Sequence, residues 1–277
     1  MLRLPGIPLG PFSLHQTVSL AGSQSLAIRH DVHLEHGFFR EHAIWAIVTG
    51  GTDIISSIVQ YLSNHAREKR DRLFRRTMSP RESDRILDLG GFDGSHIAHI
   101  LPYRSNITVA DIDAKALEIA RNEFGFNTLL LKEDETIPVE DGYYDIVYCS
   151  SVIEHTTGPK TSIYEYRSNR LFNDAAFSHQ MKFASEIKRV GKKYFVQTPY
   201  RYFPIESHTW LPNFFVFCPR TIQIAAIRFL NAWWPKEARP DWHLLTVGDM
   251  RTLFPEADII RERWMGMTKS IMAVNNK

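Results

Sequence analysis

Three glycines within five residues, placed directly after a short apolar run, constrain this chain more than any other feature. The stretch is Arg85-Ile86-Leu87-Asp88-Leu89-Gly90-Gly91-Phe92-Asp93-Gly94-Ser95, and His96-Ile97-Ala98-His99-Ile100-Leu101 follows with helical character. The apolar run is too short for a core helix and reads as a strand. A strand, a glycine turn and a helix N-terminus form a cradle for a nucleotide. Glycine admits positive φ and lets a ligand approach the backbone, and the helix end offers free N–H groups. Asp88, at the strand end, is an acceptor for a cationic or hydroxyl-bearing ligand.

The dinucleotide fingerprint G-x-G-x-x-G does not fit. Counted from Gly90 it requires glycine at 92 and 95, where the chain has Phe92 and Ser95. An acid followed by glycines at alternate positions fits better: Asp88, Gly90 and Gly94 match, and Phe92 stands in the middle glycine's place with Gly91 beside it.

Further strand–helix units follow. Asn106 to Asp111 reads as a second strand, and Asp111 lies 23 residues after Asp88. Ile112 and Asp113 come next, with Asp113 as N-cap of a helix from Ala114 to Arg121. An acid at the end of the second strand of such a unit is where ribose hydroxyls are held; the alternative for Asp111 is a turn residue. Asn127–Lys132 is a third strand, followed by Glu133-Asp134-Glu135-Thr136-Ile137-Pro138. Tyr143–Ser150 is a fourth, closing on Ser151-Val152-Ile153-Glu154-His155. Alternating strands and helices predict a doubly wound, mostly parallel α/β sheet. Ligands then bind at the carboxyl ends of its strands, where Asp88, Asp111, Asp134 and Ser150 all fall.

The run from 85 to 156 resembles the class I S-adenosylmethionine (SAM) dependent methyltransferases of the bacterial "type 11" kind. The resemblance implies a Rossmann-like seven-stranded sheet, mostly parallel with an antiparallel C-terminal strand, and SAM as cofactor. It implies cofactor contacts from Asp88, Gly90, Gly91, Gly94, Asp111, Ile112, Asp134, Glu135 and Ser150. Asp134, four residues before Pro138, matches the acid that meets the adenine amino group in that family. Asp145-Ile146-Val147 and Glu154-His155 match its fourth strand and the polar loop after it. In related quinone-biosynthesis O-methyltransferases an E-x-x-E-H segment is linked to a metal; Ser151 replaces the first Glu here, so no metal is expected.

The acceptor side is less legible. Residues 157–178 read as an irregular polar loop, 178–190 as a helix with Gly191 as C-cap, and 193–198 as a fifth strand. The stiff loop after it, Pro199-Tyr200-Arg201-Tyr202-Phe203-Pro204-Ile205-Glu206-Ser207-His208, carries an F-P-I-E-x-H segment similar to one in many bacterial methyltransferases. His155, His208 and Glu206 are candidate catalytic groups, because a hydroxyl acceptor gains from a general base and histidine suits that role near neutral pH. Each has a structural alternative: His155 capping its loop, Glu206 and His208 tying theirs to the sheet. Tyr200, Arg201 and Glu154 are candidate acceptor contacts. Residues 220–230 and 246–254 read as helices. Residues 257–264 and 267–274 read as a terminal hairpin turning at Gly266. Trp233-Trp234-Pro235 reads as core.

Residues 1–80 are expected to be an arm and helical extension, and 81–277 the SAM-binding domain. Within the extension, residues 38–76 show helical periodicity interrupted at Gly50-Gly51, then a basic run from His65 to Arg76. Two readings stand: a helix covering the main domain with a solvated charged tail, or a peripheral membrane contact. A net charge of +2 over 277 residues argues against a nucleic-acid partner. No secretory leader or membrane span is evident, and two cysteines fit a reducing compartment, so a cytoplasmic, possible membrane-peripheral location is the expectation. The function expected is O-methylation of a small molecule or of a glycan- or lipid-linked intermediate. The alternative is a catalytically silent SAM-binding or partner-binding protein; a nicotinamide dehydrogenase is disfavoured by the failed glycine pattern. The acceptor atom and the oligomeric state are not encoded in any motif.

Overall fold

The computed structural model describes residues 67–133, 135–205, 213–232 and 238–277, all within the unit His36–Lys277. The expectations for residues 1–66, for Asp134, for Glu206 and His208, and for the Trp233-Trp234-Pro235 cluster lie outside the described residues.

Seven strands form one sheet in the order β3-β2-β1-β4-β5-β7-β6. They are β1 (Ile86–Leu89), β2 (Ile107–Asp111), β3 (Asn127–Leu130), β4 (Tyr144–Ser150), β5 (Gly191–Pro199), β6 (Asp258–Trp264) and β7 (Met267–Asn275). β1 through β5 pair in parallel. β7 pairs antiparallel with both β5 and β6. This is the mostly parallel, Rossmann-like sheet expected, with its one reversed strand near the C-terminus. Met265 and Gly266 turn the terminal hairpin with φ of 48 and 79, the left-handed pair that two-residue hairpin loops demand. Strand order reverses between β1 and β4, and that switch point opens a crevice at the strands' carboxyl ends.

Alternation along the strands sorts their side chains to two faces. Ile86, Ile146 and Tyr148 join one apolar cluster; Leu87, Leu89, Val147 and Cys149 join the other. The first face is covered by helical residues 67–78, called α1, with α2 (Ser95–Ile100) and α3 (Ala114–Asn122). Phe74 of α1 is fully buried and meets the Tyr148 and Phe195 rings at 4.7 and 5.5 Å. Arg67, Lys69, Arg72, Arg75 and Arg76 of its basic run face solvent, so here the charged side chains ride on a packed helix. The second face is covered by α4 (Asn169–Val190) and α6 (Val247–Leu253). α5 (Arg220–Leu230) helps to build a smaller apolar cluster with Trp242 and Leu244.

One expectation needs correction. α4 begins at Asn169, so residues 169–178, read as loop, are helix. Its buried stripe is Phe172, Ala176, Gln180, Ala184 and Ile187; the polar Gln180 in the middle hides the apolar period. Gly191 follows α4 but has an extended φ of −106 and opens β5. It is the C-cap, as expected, its N–H donating to Ile187 O; a Cβ there would lie 2.5 Å from Val147 Cγ2, so the glycine also answers a close approach between strands.

Candidate active site

The glycine turn after β1 is pinned from two sides. Gly90 has φ 74, and its N–H donates to Ala110 O of β2 at 2.7 Å. A Cβ on Gly90 would fall 2.4 Å from Val152 Cγ2, so glycine lets the turn close against the segment after β4. Gly94, also at φ 74, starts α2 under the Phe126 ring, 2.9 Å from where a Cβ would stand. Phe92 takes φ 50, a left-handed conformation that costs a bulky residue free energy. The backbone path of an alternating-glycine loop is therefore kept without its middle glycine. The side chain is half exposed.

Asp88 points into this turn and is buried. A Cβ on Gly91 would sit 2.3 Å from Asp88 Oδ2, and that oxygen has no hydrogen-bond partner. Burial pushes the Asp88 carboxyl up to about 7; His96 pulls it down, while Asp111 and Asp93 add to the rise. His96, on α2, sits 3.0 Å from the Tyr148 hydroxyl and 3.4 Å from Asp71 of α1.

Asp111 ends β2 facing the same turn. Its Oδ2 accepts from Phe92 N at 2.9 Å, and its Oδ1 accepts from Asp113 N at 3.0 Å. Each carboxylate oxygen keeps a second lone pair, enough for the two hydroxyls of a ribose. Asp113 is the N-cap of α3, accepting from Lys115 N and Ala116 N. Three large apolar side chains stand half exposed along this rim: Phe92 after β1, Ile112 after β2 and Leu130 at the end of β3. They offer apolar walls for a flat base. Glu135 is exposed and pairs with Lys132 at 3.2 Å. Ser150, ending β4, donates to Gln197 Oε1 at 2.7 Å. Asp88 with an orphaned buried oxygen, Asp111 with spare acceptor capacity and a glycine-narrowed turn fit an adenosyl group bearing a cationic amino-acid tail.

The segment after β4 is a 3₁₀ turn, Ile153–His155. Glu154, expected to face the acceptor, is fully buried; its Oε2 accepts from Thr198 Oγ1 of β5 at 2.9 Å. His155 Nδ1 meets Asp241 Oδ1 at 3.3 Å. Burial alone would lower the His155 imidazole, but the Asp241 hydrogen bond and the Glu154 and Asp241 charges outweigh it and raise it. Burial opposes ionisation of Asp241 too, yet His155 and Lys160 hold its carboxyl far below the usual range. Lys160 Nζ donates to Asp241 Oδ2 at 3.0 Å and to His155 O at 2.9 Å. Thr157 Oγ1 donates to Asp241 O at 2.9 Å. Sequence reasoning missed Asp241 and Lys160. Asp241 lies 86 residues from His155; its only local signal is a run of polar and aromatic residues ahead of the helix cap at Thr246.

After β5, Tyr200 bridges to Leu245, and Arg201 N donates to Leu245 O at 3.1 Å. Arg201 lines a small cavity with Asn169, Phe172, Trp242 and His243. Among the described residues no group of three His, Cys, Asp or Glu could hold a metal ion, and no helix is long and apolar enough to cross a membrane.

Residues 87–173 match the family model described as "Methyltransferase domain". No curated protein matches the chain. Among solved structures, similarity extends to the PH0226 protein from Pyrococcus horikoshii OT3, 14% identical over 77% of this chain and 89% of that one, with a TM-score of 0.42. It extends also to a SAM-dependent methyltransferase from Clostridium acetobutylicum ATCC 824, 10% identical over 68% and 82%, TM-score 0.42. A third is a SAM dependent methyltransferase from Aquifex aeolicus, 15% identical over 68% and 79%, TM-score 0.35. Residues 87–173 thus carry a methyltransferase domain, set on a sheet of this order with Asp88, Asp111 and a glycine turn at its switch point.

Proposed function

We propose that this enzyme methylates a hydroxyl oxygen of a small molecule or of a glycan- or lipid-linked intermediate, with His155 as the general base. The observation that carries the reading is the His155–Asp241 contact, 3.3 Å long, on the turn directly after β4. That turn lies beside Val152, which packs against the glycine loop at Gly90. Bound SAM supplies an electrophilic methyl group on a sulfonium, and the chain's task is to position and deprotonate. Asp88 and Asp111 hold the cofactor through its cationic tail and ribose, with Gly90, Gly91 and Gly94 giving backbone access. Ile112, Glu135 and Ser150 lie along the same rim. Asp241 engages the imidazole at Nδ1, and Nε2 is the atom that takes the hydroxyl proton. The resulting imidazolium is stabilised by the buried Asp241 carboxylate. Tyr200 and Arg201 border the acceptor side; Glu154 acts from behind, holding the turn to Thr198.

Calorimetric titration with S-adenosylhomocysteine should give saturable binding that survives His155→Asn. The same substitution should cut turnover of a hydroxyl acceptor by about a hundredfold. Turnover within a few-fold of wild type would overturn the base role.

A further inference from the structure

Arg201 opens onto a cavity at the carboxyl edge of β5 and Arg220 stands behind its wall, and among the described residues neither guanidinium has a carboxylate within ion-pair distance. The cavity is partly enclosed, about 20 Å³ in volume, which is room for a small polar head and too little for a whole acceptor. Among the described residues no Asp or Glu lines it. Arg201 opens onto it. Its buried Nε has no hydrogen-bond partner, and among the described residues no carboxylate lies within ion-pair distance of its guanidinium. The Phe217 ring lies 6.0 Å from it. Arg220 stands behind the wall, its guanidinium 3.7 Å over the Phe172 ring. It is buried and donates to the carbonyls of Ile163 and Pro240, and its Nε is also unpartnered. Burial lowers it to about 10.

The Asp241 charge supports Arg220 from beyond ion-pair distance, and among the described residues no carboxylate is left for Arg201. Asp241 is already engaged by His155 and Lys160, and Glu154 is turned to Thr198. His243, on the cavity wall, is held down to about 4 by burial and by the Arg201 charge, so it is neutral. Its Nδ1 meets Gln180 Oε1 at 2.8 Å. Gln180 spends its amide nitrogen on the carbonyls of Ile153 and His243, so Nδ1 carries the proton and donates. Asn169 Oδ1, on the same wall, is buried without a donor. Buried charges are expensive unless paired, and an unfilled acceptor beside them is a second cost. A guest that carries an anion and a donor hydroxyl meets both.

We propose that this cavity is the carboxylate-binding subsite of the acceptor, with Arg201 as its specificity-determining contact and Asn169 as the acceptor for a neighbouring hydroxyl. The planar guanidinium fork matches a carboxylate, and the small volume selects it over a bulkier phosphate. Naming the guest as the acceptor rests on the methyl-transfer reading above; binding of the anion itself does not.

The test follows the Arg201 Nε–H resonance by NMR, identified by its loss in Arg201→Lys. Sodium acetate is titrated against acetamide, a neutral probe of the same shape, and against inorganic phosphate. Acetate should shift the resonance saturably and acetamide should not. Asn169→Asp, which places a fixed carboxylate in the cavity, should weaken acetate about tenfold or more. No response to acetate, an equal response to acetamide, a stronger response to phosphate, or an Asn169→Asp variant that binds acetate normally would each overturn the proposal. S-adenosylhomocysteine binding is measured on the same samples as a check that each variant folds. Acetate binding in a protein that binds no S-adenosylhomocysteine would sink the methyl-transfer reading and leave the subsite standing.

Discussion

Replacing Asp88 with Asn removes a carboxyl that the ligand-free fold holds against its own ionisation. The folded group titrates near 7 against 3.8 for an ordinary aspartate. Between those two values the folded state binds the proton that the unfolded state has released. Stability therefore falls as pH rises from about 4 to about 7, and is flat above. The gap of about 3 pH units is worth about 4 kcal/mol in full, at about 1.4 kcal/mol per unit. Some of it is already spent at pH 5, where the unfolded carboxyl is ionised and the folded one is not. About 2–3 kcal/mol should disappear between pH 5 and pH 8 in the wild type, and Asp88→Asn should not show that loss. Urea denaturation of both proteins at the two pH values, without cofactor, measures the difference of differences. The cause is burial beside an unpartnered Oδ2, so the amide must also fit beside Gly91 without a carboxylate's hydration. S-adenosylhomocysteine, whose amino group is a cation, should bind the wild type more tightly as pH rises through 7 and bind Asp88→Asn weakly throughout. Parallel stability profiles for the two proteins would refute the reasoning.

Other consequences are equally direct. Asp111→Ala strips the acceptor from Phe92 N and Asp113 N and from the ribose. It should lower S-adenosylhomocysteine affinity at least about tenfold by calorimetry; unchanged affinity would remove Asp111 from the cofactor site. Asp241→Asn should lower the His155 titration point followed by NMR, because burial then acts with less opposition. The sign for stability follows: the raised His155 contributes below about 6.5 and its contribution is lost as pH rises through its folded value, while the depressed Asp241 carboxyl contributes until strong acid protonates it. A His155 titration that does not move would show that Asp241 does not set it. Gly191→Ala, with its Cβ driven to within 2.5 Å of Val147 Cγ2 and 3.1 Å of two carbonyl oxygens, should cost about 1–3 kcal/mol in urea denaturation. A fully stable variant would mean that the strands can part there.

Much of the cofactor half of the enzyme is local, and local features are readable. Asp88, the glycines after it and Asp111 lie on two successive strands, and each carries its own signal: an apolar run, a turn residue, a cap. The period of α5 and the Thr246 cap of α6 could be read the same way. The start of α4 could not, because Gln180 occupies its buried stripe and bonds to Ile153 O and His243 O, so its polarity mimics an exposed position. Gly191 was legible as the cap of α4, but its close approach to Val147, on another strand, was not.

The chain alone therefore determined that a parallel sheet would present carboxylates and a glycine turn at one edge, since β-strand alternation and turn chemistry act between residues close in sequence. Tertiary structure decided the edge around His155 and Arg201. Asp241 reaches His155, Arg220 stacks on Phe172, and Arg201 has no counter-ion among the described residues, only because segments separated by tens of residues fold onto the same edge. Burial there sets the protonation of each group. Charge pairing and desolvation depend on distance in space, and no short pattern of residue types records that distance.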